Sequence, residues 1–152
     1  MNFLISIIAA IILVVIGRDF IKKHATLCYL LTTLLSIALV AGSFSGIIWT
    51  LPPWFTTTIL PILIKSTFAT SIFVIVMYTG AFKNGSKFIK FLMPIRGELS
   101  IIASILTLAH NISFGRNHFV NLFTAPETMS SNMKAAAGVS IILIAIMIPL
   151  FI

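Results

Sequence analysis

Five long apolar stretches divide this 152-residue sequence, at residues 1–17, 25–48, 58–82, 97–115 and 134–152. A spanning helix needs roughly 20 mainly apolar residues at about 1.5 Å rise each, and the first stretch sits at the short end of the tolerated range. With 59% of residues hydrophobic and 9% charged, one soluble core of this size cannot hide the apolar side chains, so lipid must serve as solvent. Strict polar–apolar alternation is absent, which argues against an outer-membrane barrel. No internal repeat or low-complexity linker separates the stretches. The expected fold is therefore all-α: a polytopic transmembrane bundle of about five helices forming a single domain over 1–152.

A formal net charge of +7 in a soluble chain would suggest nucleic acid. Here it follows loop placement, and the partner implied is the lipid bilayer, not nucleic acid. Arg18, Lys22 and Lys23 cluster after the first stretch, and Lys83, Lys87, Lys90 and Arg96 after the third. The 49–57 segment carries no charge. An excess of Lys and Arg marks cytoplasmic loops, which places 18–24 and 83–96 inside, the N-terminus outside and Ile152 at the cytoplasmic side of a plasma membrane. The first stretch lacks a preceding basic residue and a small-residue cleavage pattern, so it reads as retained. Cys28 is a single cysteine and cannot form an internal disulfide; a packed, inert thiol is expected. A helix leaving toward the cytoplasm normally enters a basic loop, and none follows Ile152, so the abrupt end is expected of a truncated sequence, a fragmentary gene or an unusual natural variant.

Gly42-Ser43-Phe44-Ser45-Gly46 has the spacing that lets two helix backbones approach closely. Trp49 and Trp54 flank Pro52-Pro53, where a turn at the headgroup layer is expected. In the third stretch, Ser66, Thr70, Phe73, Met77 and Gly80 recur at helical spacing and are expected to face the bundle. The fourth stretch carries Ser100, Ala103, Ser104, Thr107, His110, Asn111 and Phe114 at three- and four-residue steps, one small, polar stripe that should also face inward. Ile101, Ile102, Ile105 and Leu108 should then face lipid. His110 would lie roughly 20 Å from the cytoplasmic end of its helix. An ionisable residue at that depth is costly, and it marks a functional candidate.

The acidic residues are Asp19, Glu98 and Glu127, and none forms an intramembrane carboxylate pair. No zinc-protease, dithiol, phosphate-loop or nucleophile-elbow motif occurs. These absences disfavour hydrolysis and carboxylate-based proton transport. A neutral imidazole in a helix bundle suits an axial position on haem iron, so His110 is the candidate metal ligand of one haem b. Haem propionates want cations near an aqueous edge, and Lys65 and Arg116 are the candidates. The alternative is a non-redox helical membrane protein, a small transporter or assembly subunit, in which His110 makes a structural hydrogen bond between helices. His118 reads as a solvated loop residue and His24 as a headgroup-facing one.

The run Met93-Pro-Ile-Arg96-Gly97-Glu98-Leu99, continuing to Leu106-Thr107-Leu108-Ala109-His110-Asn111, resembles the first haem-binding helix of the ferric reductase-like transmembrane family. That family includes the haem-bearing membrane subunit of the methionine sulfoxide reductase system. The resemblance extends diffusely over residues 66–152. It implies that the chain is at most the membrane electron-transfer component of an oxidoreductase, with His110 on the iron. Two-haem members carry a second histidine earlier on this helix, where Arg96 stands here, so one haem is implied. The family's next histidine-bearing helix would follow residue 152, which puts the opposite axial ligand outside this chain. With no flavin or NAD(P)H domain in the sequence, electrons would come through a separate flavin- or quinone-linked partner.

Overall fold

A computed structural model describes residues 2–79, 81 and 86–147, and the described residues form helices joined by turns, with no strand among them. Helix α1 spans Asn2–Lys23, α2 Ala25–Ser45, α3 Leu60–Ile64, α4 Thr67–Tyr78, α5 Lys87–Leu92, α6 Arg96–His110, α7 Arg116–Thr124 and α8 Ser131–Met147. Among the described residues three helical runs are long and apolar enough to cross a membrane: Phe3–Lys23, Ala25–Ser45 and Lys87–Thr124. A fourth arises if the bent pair Phe55–Ile64 and Thr67–Tyr78 counts as one span. The expected fifth span reaches residues 148–152, which lie outside the described residues.

Contacts divide the chain into two compact units, Met1–Ser113 and Phe114–Ile152. In the first, α4 packs against both α1 and α6, and α6 also packs against α2. The core joins Ala10 and Val14 of α1, Ala69, Ile72 and Val76 of α4, and Leu99, Ala103 and Leu106 of α6. Ala69 and Ala103, both essentially inaccessible, let α4 and α6 approach. Small residues do this work in lipid, where helix association rests on packing more than on apolar transfer. In the second unit α7 packs against α8. Away from the core the long helices are ringed by exposed Leu4, Ile8, Ile12 and Ile16 on α1 and Leu30, Leu34 and Ile37 on α2. A water-soluble monomer does not expose so continuous an apolar surface. The chain is a helical membrane protein.

Several elements differ from the sequence reading. The basic cluster Arg18, Lys22 and Lys23 belongs to α1 itself and not to a loop; cations in a last turn complement the helix dipole, and Arg18 is further anchored. Its Nε donates to the Phe91 carbonyl at 2.9 Å, and its guanidinium lies 4.8 Å from the Phe91 ring centre. The 83–96 segment contains the short α5, whose N-terminus is capped by Ser86 Oγ accepting from the Ile89 amide. Residues 82–85, Lys83 among them, lie outside the described residues. His118 falls within α7, exposed, where a loop was expected.

The two glycines of the GxxxG run lie at a turn and not at a helix–helix contact. The 3-10 turn Ile47–Thr50 folds back onto α2, where a Cβ on Gly42 would meet the Ile48 Cβ at 3.4 Å, an ordinary van der Waals contact. Gly46 ends α2 in the left-handed conformation, with φ +76°. An L-residue pays roughly 1–2 kcal/mol there. Because a Cβ on Gly46 meets nothing within 4 Å, Gly46→Ala is expected to destabilise by about 1 kcal/mol through backbone strain alone. Denaturant titration in mixed micelles would read that loss.

Candidate functional site at a broken span

The third apolar stretch does not form one straight helix. A π-helical turn over Phe55–Ile59 leads into α3, the chain breaks at Lys65-Ser66, and α4 leaves at a 46° bend. Ser66 holds φ +59°, the single non-glycine residue with positive φ among those described. A break inside an apolar region frees backbone carbonyls that lipid cannot satisfy, so protein groups must do so. Here the carbonyls of residues 61–64 have named donors. The Lys65 amide donates to Pro61 O at 3.1 Å and the Ser66 amide to Leu63 O at 3.4 Å. Thr67 Oγ1 donates to Ile62 O at 3.0 Å, and Ser6 Oγ of α1 donates to Thr67 Oγ1 at 3.2 Å. His110 Nδ1 of α6 lies 2.6 Å from Ile64 O.

The break is therefore stitched from both sides, by α1 through Ser6 and by α6 through His110. A carbonyl oxygen only accepts, so Nδ1 carries the proton in that bond. In the neutral imidazole Nε2 then carries the lone pair. This is the arrangement of most metal-ligating histidines, in which one ring N–H donates to a backbone carbonyl or carboxylate and so fixes the tautomer and ring orientation.

His110 is half-buried at the last turn of α6, beside the buried Leu106 and Ala109. Lys65 is exposed at the break itself, the residue after Ile64. The structure thus brings Lys65 and His110 to the same feature. Arg116 opens α7, and its side chain lies outside the described residues. His24 is exposed at the turn between α1 and α2, its ring 5.0 Å from that of Phe20. Cys28 is a free, partly buried thiol against the core. Among the described residues no group of three or more His, Cys, Asp or Glu side chains gathers. A haem iron, with four ligands from its porphyrin, asks the protein for axial donors alone.

The inward faces are rotated from those expected. On α6 the buried residues are Leu99, Ile102, Ala103, Leu106 and Ala109, while Ser104 is exposed and Ser100 and Thr107 are half-buried. Ile102, expected at lipid, is in the core. The hydroxyls need no neighbouring helix, because each bonds back within α6: Ser100 to Arg96 O, Ser104 to Ser100 O and Thr107 to Ala103 O. On α4, Ala69, Ser71, Ile72, Ile75 and Val76 are buried, whereas Thr70 and Met77 are exposed. Gly80 lies outside the described residues. Ser6 and Thr67 were not singled out by the sequence; their signal was a Ser and a Thr each lying in an apolar run.

No protein-family model matches this chain, and no solved structure matches it. A protein of Treponema pallidum (strain Nichols), described as uncharacterized, is 36% identical over 147 residues, which cover 97% of this chain. The chain spans 40% of that relative's length.

Proposed function

We propose that this chain is the haem b-binding, membrane-embedded part of an electron-transfer protein, with His110 as one axial ligand through Nε2. The observation that carries the reading is the His110 Nδ1 contact with Ile64 O at 2.6 Å. It fixes the ring and directs the imidazole's basicity to the other nitrogen. A bound haem would supply one-electron chemistry, tuned by its axial ligands, burial and hydrogen bonds. Lys65 would pair with a propionate at the aqueous edge, and Arg116 is proposed for the same role. The second axial ligand is placed outside these residues, and the electron donor is a flavin- or quinone-linked partner. The resemblance of Arg96–His110 to the ferric reductase-like haem helix supports the same reading.

The test is a visible spectrum of the protein expressed from its native gene, purified from membranes and reduced with dithionite. A b-type Soret and α-band pair is expected, and it should vanish in His110→Ala. Equal haem content in wild type and His110→Ala would overturn the assignment. The same hydrogen bond favours a second reading, in which His110 only fastens the broken span of a non-redox membrane protein. That reading expects no haem and a loss of stability alone.

The proposed orientation puts the N-terminus outside a plasma membrane and the α5 segment in the cytoplasm, from the positions of Arg18, Lys22, Lys23, Lys87, Lys90 and Arg96. Lys87 is exposed and makes a better reporter than Ser86, which caps α5. In a Cys28→Ala background, Lys87→Cys is expected to stay unlabelled by an impermeant thiol reagent in intact cells and to react once the membrane is opened. Labelling in intact cells would reverse the topology.

A further inference from the structure

Between α1, α4 and α5 lies a groove of about 310 Å³ with an entirely apolar wall, which includes Ile11 and Val15 of α1, Val74 and Tyr78 of α4, and Phe88 and Phe91 of α5. Ligand pockets run from roughly 300 to 1,000 Å³, so the groove suits part of one hydrocarbon chain. It runs along the membrane-spanning part of α1, and its end is marked by charge. Positions 11, 15, 18 and 22 follow one another at three- and four-residue steps, so the groove-lining face of α1 continues directly into Arg18 and Lys22. Arg18 sits on the Phe91 ring that walls the groove, with its side chain about a quarter exposed. Lys87 and Lys90 are exposed on α5, each beside a groove-lining phenylalanine. Against these four cations stands Asp19, 88% exposed and 3.0 Å from Arg18 Nη1.

We propose that this groove is a binding site for an anionic phospholipid, with one acyl chain in the groove and the headgroup phosphate on Arg18 and its neighbouring lysines. An apolar channel that opens onto cations at the edge of the bilayer matches the two halves of such a molecule and no uncharged lipid as well. Basic pockets at the ends of transmembrane helices recognise acidic headgroups in this way. The guanidinium is pre-positioned: its Nε bond to Phe91 O holds the side chain at the mouth before a lipid arrives. A planar guanidinium also matches phosphate geometry through paired N–H donors. The site is distinct from the broken span and does not depend on haem.

Native mass spectrometry of the detergent-purified full chain, titrated with dioleoyl phosphatidylglycerol or dioleoyl phosphatidylcholine, tests this. Phosphatidylglycerol is expected to bind more tightly than phosphatidylcholine and to raise the thermal midpoint. Arg18→Gln should weaken phosphatidylglycerol roughly fivefold, the equivalent of about one cation at an anionic lipid surface, and leave phosphatidylcholine unchanged. Asp19→Asn should strengthen phosphatidylglycerol. Val15→Trp fills the groove from an exposed position, so it spares the core and should abolish the preference. Equal binding of the two lipids, phosphatidylglycerol binding untouched by both Arg18→Gln and Val15→Trp, or a full thermal shift from inorganic phosphate alone would each overturn the proposal.

Discussion

Replacing His110 by alanine is expected to abolish or strongly reduce haem binding and, separately, to destabilise the haem-free bundle by about 1–3 kcal/mol. The two effects have different origins. Haem loss follows from removal of Nε2, the nitrogen to which the Ile64 bond assigns the lone pair. The stability loss follows from Ile64 O, a carbonyl freed by the break and left in an apolar region without its donor. Absorbance of the reduced protein reads the first, and denaturant titration of the haem-free protein in mixed micelles reads the second. Lys65→Ala and Arg116→Ala should change haem potential or occupancy by less, because propionates at an aqueous edge can be solvated. His24→Ala and His118→Ala should leave haem nearly intact, since both side chains are exposed. A destabilised His110→Ala that keeps its full haem complement would leave the fastening role standing and the ligand role refuted.

Ala103→Leu is expected to be at least as damaging to the fold, by about 1–3 kcal/mol or more. Ala103 is fully buried in the core that joins α4 and α6. Three added carbons there must push apart helices whose association in lipid depends on close packing. Leu108→Ala, five residues further along α6 and 60% exposed, should change stability by no more than about 0.5 kcal/mol. The contrast separates packing from hydrophobicity, because Ala103→Leu adds apolar volume and Leu108→Ala removes it. Equal effects of the two would show that α6 packs on another face.

The helical class was legible because hydropathy over about 20 residues is a strong signal and few structures satisfy their backbone in lipid. The break was not. Ile62-Leu63-Ile64 reads as uninterrupted helix, and Ser66 is a residue type that seldom takes a positive φ. Pro61 and Lys65, together in one apolar run, were the available hints. His110 stood out because imidazole is conspicuous in hydrocarbon. Its partner did not, since a backbone carbonyl leaves no mark in sequence. The inward face of α6 was misread by one helical step for a related reason. Ser100, Ser104 and Thr107 looked in need of partners, but their hydroxyls bond carbonyls of their own helix, and the face was left to be decided by packing around Ala103.

The stitched break also bears on how the protein is made. Ribosomes deliver the chain from its N-terminus, so Ser6 is already in place when Thr67 emerges, whereas His110 follows Ile64 by 46 residues. Until α6 arrives, the bend has half its fastenings, and Ile64 O faces the insertion machinery or lipid without its donor. The third span therefore cannot settle on the timetable of its own synthesis. It must wait in a sheltered site or enter straight and bend afterwards, which makes α6 the step that locks assembly. An arrest of translation shortly before residue 110 should leave that span extractable, and release past it should fix it in the membrane.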